Sequence, residues 1–440
     1  MEQQPAAVSQ TATQAGDVRI RWMWTEPTVW TDRMLAALEN GVKGGKWFSL
    51  IDKIARQDTL LASFTRVKAN DGSAGVDNQS IEQFQQHLDV NLAYLTDALG
   101  RDAYVPQAIH RTWIDKAGSK AKRPLGIPTV RDRVVQGAIR LVIEPIFERQ
   151  FAEHSYGFRP GRGCKDALRR VDALLQAGCH WVVDADLQSY FDTIPHDKLM
   201  NLIEAKISDG RVLDLIRRYL TQEILDTAAR WTPEQGSPQG AVLSPLLSNI
   251  YLDPLDHLMA DANIEMVRYA DDFVLLCRSE RDARDSLALV QQWTAQAGLT
   301  LHPEKTRLVD ATQRGGFDFL GYHFERGYKW PAPKSLKKFK DAIRSKTRRT
   351  SGHSLGTIIS DVNRTVQGWF EYFKHSHKTT FAPLDKWIRM RIRSILRRRM
   401  GLRGRGRGVD HQRWPNAYFT ACGLFSTVAA RRAACRSSPR

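Results

Sequence analysis

Apolar positions along the 440 residues recur at two spacings, helical and strand-like, and their order outlines a mixed fold. Residues 1–17 are polar and predict a tail without a core. From Arg21 to Trp47 the tryptophans Trp22, Trp24, Trp30 and Trp47 predict a helical extension docked by its aromatic side chains. Phe48, Ile51, Ile54, Leu60, Leu61, Phe64 and Val67 form a helical stripe from Trp47 to Lys68, closed by a Gly-rich loop over 69–75. A helix follows through Leu88, Leu92, Leu95 and Leu99. Ala103 to Ile114 is extended, and a basic turn from Lys116 to Arg123 leads into Pro124 to Pro128. Helical spacing returns from Val130 to Phe147; a loop of Gly, Arg and aromatic residues spans 154–162, and a helix spans 164–177.

Trp181 to Leu187 reads as a strand. Residues 235–240 read as a Gly/Pro turn. Met266 to Leu276 reads as strand, tight turn, strand, with Ala270, Asp271 and Asp272 at the bend. Past Trp330 to Pro333 the pattern becomes helical and basic. Ile358, Ile359, Val362, Val366, Trp369, Phe370 and Phe373 mark one amphipathic helix. Leu384, Ile388, Ile392, Ile395 and Leu396 mark another, flanked by Arg389, Arg391, Arg393, Arg397 and Arg398. The Gly-Arg alternation over 401–408 predicts flexible basic chain. Together these elements predict an α+β fold with helices against one sheet face.

Composition is ordinary for a globular protein, with 42% hydrophobic and 26% charged residues, but charge is not. The net charge is +17, and residues 331–440 alone hold 26 Lys+Arg against 5 Asp+Glu. Such a localised excess suits a polyphosphate partner bound through counterion release; a solvated basic face is the alternative. Five scattered cysteines without a C-x-x-C pair support neither a zinc knuckle nor a disulfide framework, and imply reduced thiols in the cytoplasm. The N-terminus lacks the apolar core of a signal peptide, and no apolar run is long enough for a bilayer, so no membrane role is expected.

The chemistry lies in the acids. Asp271 and Asp272 adjoin at a hairpin tip, where Arg268 would offset only one of them. A second acidic strand carries Asp184 and Asp186. If the two strands are sheet neighbours, Asp186 and Asp271 share hard, oxygen-ligated Mg²⁺ ions. Two such ions activate a 3′ hydroxyl and stabilise departing pyrophosphate, the chemistry of a nucleic-acid polymerase.

Seven ordered motifs extend this reading: RPLGIPTVRDRVVQ (123–136), EHSYGFRPGRG (153–163), DADLQSYFD (184–192), GSPQGAVLSPLLSNIYLD (236–253), YADD (269–272), LTLHPEKT (299–306) and FLGY (319–322). Together they resemble the reverse transcriptases encoded by bacterial group II introns, the intron maturases, from about residue 46 to about 425. The resemblance implies that Asp186, Asp271 and Asp272 are the catalytic aspartates, with Asp186 and Asp271 the direct ligands of two Mg²⁺ ions. It implies that Leu187 adds a backbone carbonyl to the metal shell and that Asp272 supports. Phe191 aligns with the aromatic gate under the nucleotide sugar, or is a core aromatic. Gln239 and Gly240 align with the contact to the incoming deoxynucleoside triphosphate. Arg123, with Lys122 behind it, suits the triphosphate. Lys305 aligns with a lysine near the pyrophosphate, or is a surface charge. Arg159 and Arg162 hold template or the sheet edge, and Arg389, Arg393 and Arg397 form one nucleic-acid-binding thumb face.

The implied fold is a right-hand polymerase. Residues 1–45 are a tail and extension, 46–180 fingers, 181–330 palm, 331–400 a helical thumb, and 401–440 a basic DNA- and RNA-binding tail. The implied function is RNA-directed DNA polymerisation, with binding of the protein's own intron RNA, splicing and retrohoming, in a monomer or dimer. RWPNAYFTACGLFS (413–426) resembles the short C-termini of members without an endonuclease, for which priming would come from existing DNA ends or replication forks. A domesticated or defence-associated reverse transcriptase, or a splicing cofactor with dispensable polymerase activity, are the competing readings.

Overall fold

The computed structural model describes residues 18–115, 122–226 and 229–437. The chain divides into two compact units. The first comprises Met1–Asp115, Ala121–Leu174 and Val183–Leu308, and the second is mainly Val309–Arg440.

The first unit is organised around the helix Val130–Glu148, buried along most of its length. Its Gly137 lets the helix Gln57–Ala69 approach, since an added Cβ would lie 2.2 Å from Ser63 Oγ. Trp30 is fully buried and donates from Nε1 to the Leu141 carbonyl at 3.0 Å, so the N-terminal extension docks by its aromatics as expected. The extension is only partly helical, over Asp32–Asn40. The stripe from Trp47 to Lys68 is not one helix. It breaks into Ile51–Ile54 and Gln57–Ala69, and Phe48 is 64% exposed. The late start has a tertiary cause: Asp209 Oδ2 accepts from the amides of Leu50 and Ile51 at 2.6 and 2.9 Å, capping the first helix at Ile51.

Two sheets belong to this part of the chain. Strands β1 (Ile109–Asp115) and β2 (Lys122–Ile127) pair antiparallel, β1 runs parallel to β4 (Ile224–Asp226), and β4 pairs with β5 (Ala229–Trp231). The second sheet has the order β6–β7–β3–β8, from Glu265–Tyr269, Asp272–Cys277, Trp181–Asp186 and Arg307–Asp310. Helix Ser244–Asp261 packs on β6 and helix Glu280–Ala297 on β7.

In the second unit a meander of β9 (Phe317–Phe319), β10 (Tyr322–Glu325) and β11 (Tyr328–Pro331) carries the FLGY residues. Tyr322 Oη donates to the Tyr372 carbonyl at 2.6 Å and Tyr372 Oη to the Leu320 carbonyl at 2.7 Å, which fastens the meander to helix Leu355–Phe373. That helix, helix Phe381–Arg399 and helix Pro333–Lys346 share one apolar cluster. The third of these was not marked by the sequence pattern. Residues beyond 400 are also more than a flexible run. Phe419 enters the same cluster at 1% exposure, and Gly406 donates its amide to Ser394 Oγ at 3.1 Å.

Candidate active site and nucleic-acid interface

Strands β6 and β7 form an antiparallel hairpin in which Tyr269 opposes Asp272, leaving Ala270 and Asp271 as a two-residue loop. Ala270 takes φ +60°, the left-handed start that tight hairpins favour. The loop is held from below. Arg268 is fully buried and donates from Nη1 to the Ala270 carbonyl at 2.9 Å and to Asn249 Oδ1 at 3.0 Å, and from Nε to Asp256 Oδ1 at 2.7 Å. Asn249 Nδ2 in turn donates to the Gly157 carbonyl at 2.8 Å. Gly157 lies so close that an added Cβ would sit 2.2 Å from the Ala270 amide nitrogen. The direct ion pair of Arg268 is thus with Asp256, while its charge offsets one tip acid, Asp271, from below. An unpaired guanidinium in that position would be costly.

Strand β3 lies beside β7 and ends at Asp186. The carboxylates of Asp186 and Asp271 feel each other. Burial, and then the neighbouring charge of Asp186, push the Asp271 carboxyl above its usual range, while Arg268 and Lys305 pull it down. Lys305 Nζ forms an ion pair with Asp186 Oδ2. The donors are hard oxygens that already draw a cation, which fits a divalent ion of the Mg²⁺ type. Leu187 is buried and bridges antiparallel to Leu301, and Asp272 opens β7. Among the described residues no three carboxylate, imidazole or thiol groups gather into one ligand cluster.

Four of the nucleotide candidates, Lys122, Arg123, Gln239 and Gly240, meet at β2. Lys122 and Arg123 are exposed on this strand, and its Gly126 donates to the Gln239 carbonyl at 2.6 Å. Gly240 has φ +107°, and a Cβ there would strike the Gly126 carbonyl at 2.4 Å. Phe191 is half-buried, and its carbonyl accepts the Ser237 amide at 2.6 Å. With Arg111, Trp231 and Gln235 it lines an open cavity of about 140 Å³. Its neighbour Tyr190 is the core aromatic, donating from Oη to the Ser248 carbonyl at 2.8 Å.

The arginine assignments need correction. Arg159 is buried, paired with Glu148 at 2.8 Å, and donates to the Ser155 carbonyl at 2.9 Å. It builds the loop whose Ser155 bridges Arg268 on the edge strand β6, which is the sheet-edge alternative, and presents nothing to a template. Arg162 bonds the Glu153 carbonyl and lies over Tyr156, also within the loop. Arg393 is 2% exposed and donates to the Trp414 carbonyl and Asn416 Oδ1, both at 2.8 Å. Arg397 binds Asp410 at 2.8 Å, and Arg389 stands 4.0 Å from Asp385. These three do not form an open face, because the segment after residue 400 folds over that side of the helix. Exposed cations lie elsewhere, at Lys334, Lys337, Lys338, Arg344, Arg348 and Arg349, and at Arg398, Arg399, Arg403, Arg405 and Arg407. The residues that sequence reasoning missed are Asn249, Asp256 and Gly157. Asn249 and Gly157 stand inside recognised motifs and Asp256 just after one, but their shared target is visible only in three dimensions.

Residues 114–324 match the family described as reverse transcriptase (RNA-dependent DNA polymerase), and residues 336–414 match the group II intron, maturase-specific domain. Protein YkfC of Escherichia coli (strain K12) is 30% identical over 347 residues, covering 69% of this chain and 86% of YkfC. The group II intron-encoded protein LtrA of Lactococcus lactis subsp. cremoris is 34% identical over 217 residues, covering 49% of this chain and 36% of LtrA. A 91 kDa protein in the cob intron of Schizosaccharomyces pombe is 31% identical over 321 residues, 59% of this chain and 39% of that protein. The chain thus spans well under half of these two intron-encoded relatives. With a reverse-transcriptase domain of right-hand polymerase fold followed by a maturase domain, the chain belongs to the group II intron reverse transcriptase and maturase family.

Proposed function

We propose that this chain extends a DNA primer on an RNA template at Asp186 and Asp271, and that it binds its own intron RNA to assist splicing and retrohoming. The observation that carries the polymerase reading is the placement of these carboxylates at the ends of neighbouring strands, with Lys305 resting where a cation would bind. Two Mg²⁺ ions, when bound there, would activate the primer 3′ hydroxyl and stabilise the departing pyrophosphate. Asp186 and Asp271 would hold them, with the Leu187 carbonyl and Asp272 in support.

In this reading Arg123 and Lys122 receive the triphosphate, Gln239 and Gly240 form the floor under the nucleotide, and Phe191 excludes a 2′ hydroxyl. Lys305 leaves Asp186 and turns to the pyrophosphate. We assign residues 46–180 to fingers, 181–330 to palm and 331–400 to thumb, with 401–440 completing the thumb core. The exposed cations of the second unit attract RNA and DNA phosphates. The free cysteines suit the cytoplasm, and among the described residues no helix is long and apolar enough to cross a membrane. The test is extension of a DNA primer on an RNA template by the purified chain with Mg²⁺ and deoxynucleotides. Extension is expected, and its absence under conditions where the duplex is bound would contradict the reading.

A further inference from the structure

Phe158 occupies a position that folding alone does not explain. Its backbone is at φ +60°, a region that crowds a bulky L side chain, and the residue is 40% exposed. Strain of this kind persists only where the surroundings over-determine it, and it gathers at ligand-binding sites. Here the surroundings are unusually firm. Arg159 Nε donates to both oxygens of Glu148 at 3.0 Å, and the guanidinium also holds the carbonyls of Ala152 and Ser155. On the other side the Gly157 carbonyl is held by Asn249, and the Tyr156 amide donates to the Arg268 carbonyl at 2.8 Å.

The location adds a second observation. Gly157 touches the Ala270 backbone, and the next Cα along a trans chain is about 3.8 Å away. Phe158 is therefore presented one residue from the turn that carries Asp271. Exposed Lys165 and half-buried Arg162, one nitrogen of which is held by the Glu153 carbonyl, follow it closely in sequence. An exposed aromatic ring with cations nearby is the combination that receives single-stranded nucleic acid, because every base offers a π-face and every nucleotide a phosphate.

We propose that Phe158 is a nucleic-acid contact, its ring packed against a base or sugar of the strand held at the catalytic turn. The inference rests on the polymerase reading above, and is tested by binding rather than by chemistry. Phe158→Leu keeps an apolar side chain and the strain but removes the aromatic face. Phe158→Gly removes both face and strain. Affinity for an RNA-template/DNA-primer duplex is measured by fluorescence anisotropy without nucleotides, alongside thermal melting and wild-type extension.

Both variants should bind the duplex about five-fold or more weakly, the low end for removal of one base–aromatic stack. Phe158→Trp should restore binding, and Phe158→Gly should melt no lower than Phe158→Leu. Folded Leu and Gly variants with wild-type affinity would overturn the contact. A wild-type chain that binds but does not extend, with the Phe158 variants still weakened, would support the contact and defeat the polymerase reading instead.

Discussion

The Lys305 ammonium rests on the Asp186 carboxylate, at the end of the strand beside the hairpin that carries Asp271. It offsets a negative charge that would otherwise face Asp271 unopposed. An entering divalent cation would have to displace it. Both side chains are well exposed, 60% for Lys305 and 35% for Asp186, so the pair is worth at most about 1 kcal/mol. Lys305→Ala should therefore tighten divalent-cation binding by no more than about five-fold, read from the Mg²⁺ dependence of the melting temperature. An unchanged Mg²⁺ dependence would show that Lys305 does not compete for the site.

The tether beneath the turn makes a different prediction. Asn249→Ala leaves both the Gly157 carbonyl and one Arg268 donor unmet in a buried place, which should cost about 1–3 kcal/mol of stability. Arg268→Met leaves Asp256 as an unpaired buried charge and should cost about 3–5 kcal/mol. Denaturant melts give both numbers. Extension by folded Asn249→Ala should be slower than wild type at unchanged duplex affinity. A normal rate would mean that the turn holds its shape without the tether.

The proposed sugar gate is Phe191. Phe191→Ala enlarges the cavity the ring lines, and discrimination between deoxy- and ribonucleotides should fall by about ten-fold or more, one step of about 1.4 kcal/mol. Competing single-nucleotide incorporation measures it. Unaltered discrimination would leave Phe191 as a packing residue.

Binding and stability should separate in the second unit. Arg393→Ala removes buried bonds to Trp414 and Asn416, and should lower the melting temperature while leaving the salt dependence of RNA binding unchanged. Charge reversal at exposed Lys334, Lys337 and Lys338 should do the opposite, lowering the slope of log affinity against log salt by roughly 0.7–0.9 for each phosphate no longer neutralised. A titration across salt concentrations distinguishes the two, and a normal slope in the lysine variant would place the phosphates on another face.

The hairpin that carries Asp271 was legible because two apolar strands flank one short polar break, a pattern with strand period on both sides of a turn. The long helices from Val130 and Leu355 were legible for the same reason of period. Helix Pro333–Lys346 was not, since its only fully buried apolar residues are Phe339 and Ile343 among many lysines. Long-range capping was equally hidden: nothing near Leu50 in sequence announces Asp209. The basic run after residue 400 reads as flexible by composition. It folds down because Gly406, where a Cβ would meet that of Arg393 at 2.6 Å, allows the chain to lie on the helix. That approach buries Arg393, and the same segment brings Asp410 to Arg397, on a helix face that periodicity alone had left open.

The central claim is that Asp186 and Asp271 together carry the chemistry, apart from the surfaces that bind nucleic acid. Single-turnover primer extension on an RNA template, with duplex affinity measured on the same preparations, tests it most directly. Asp186→Asn and Asp271→Asn should each slow extension by at least about 100-fold, since several kcal/mol of charge stabilisation is removed at about 1.36 kcal/mol per ten-fold. Duplex affinity should stay near wild type. Either variant extending at close to the wild-type rate with Mg²⁺ would contradict the account.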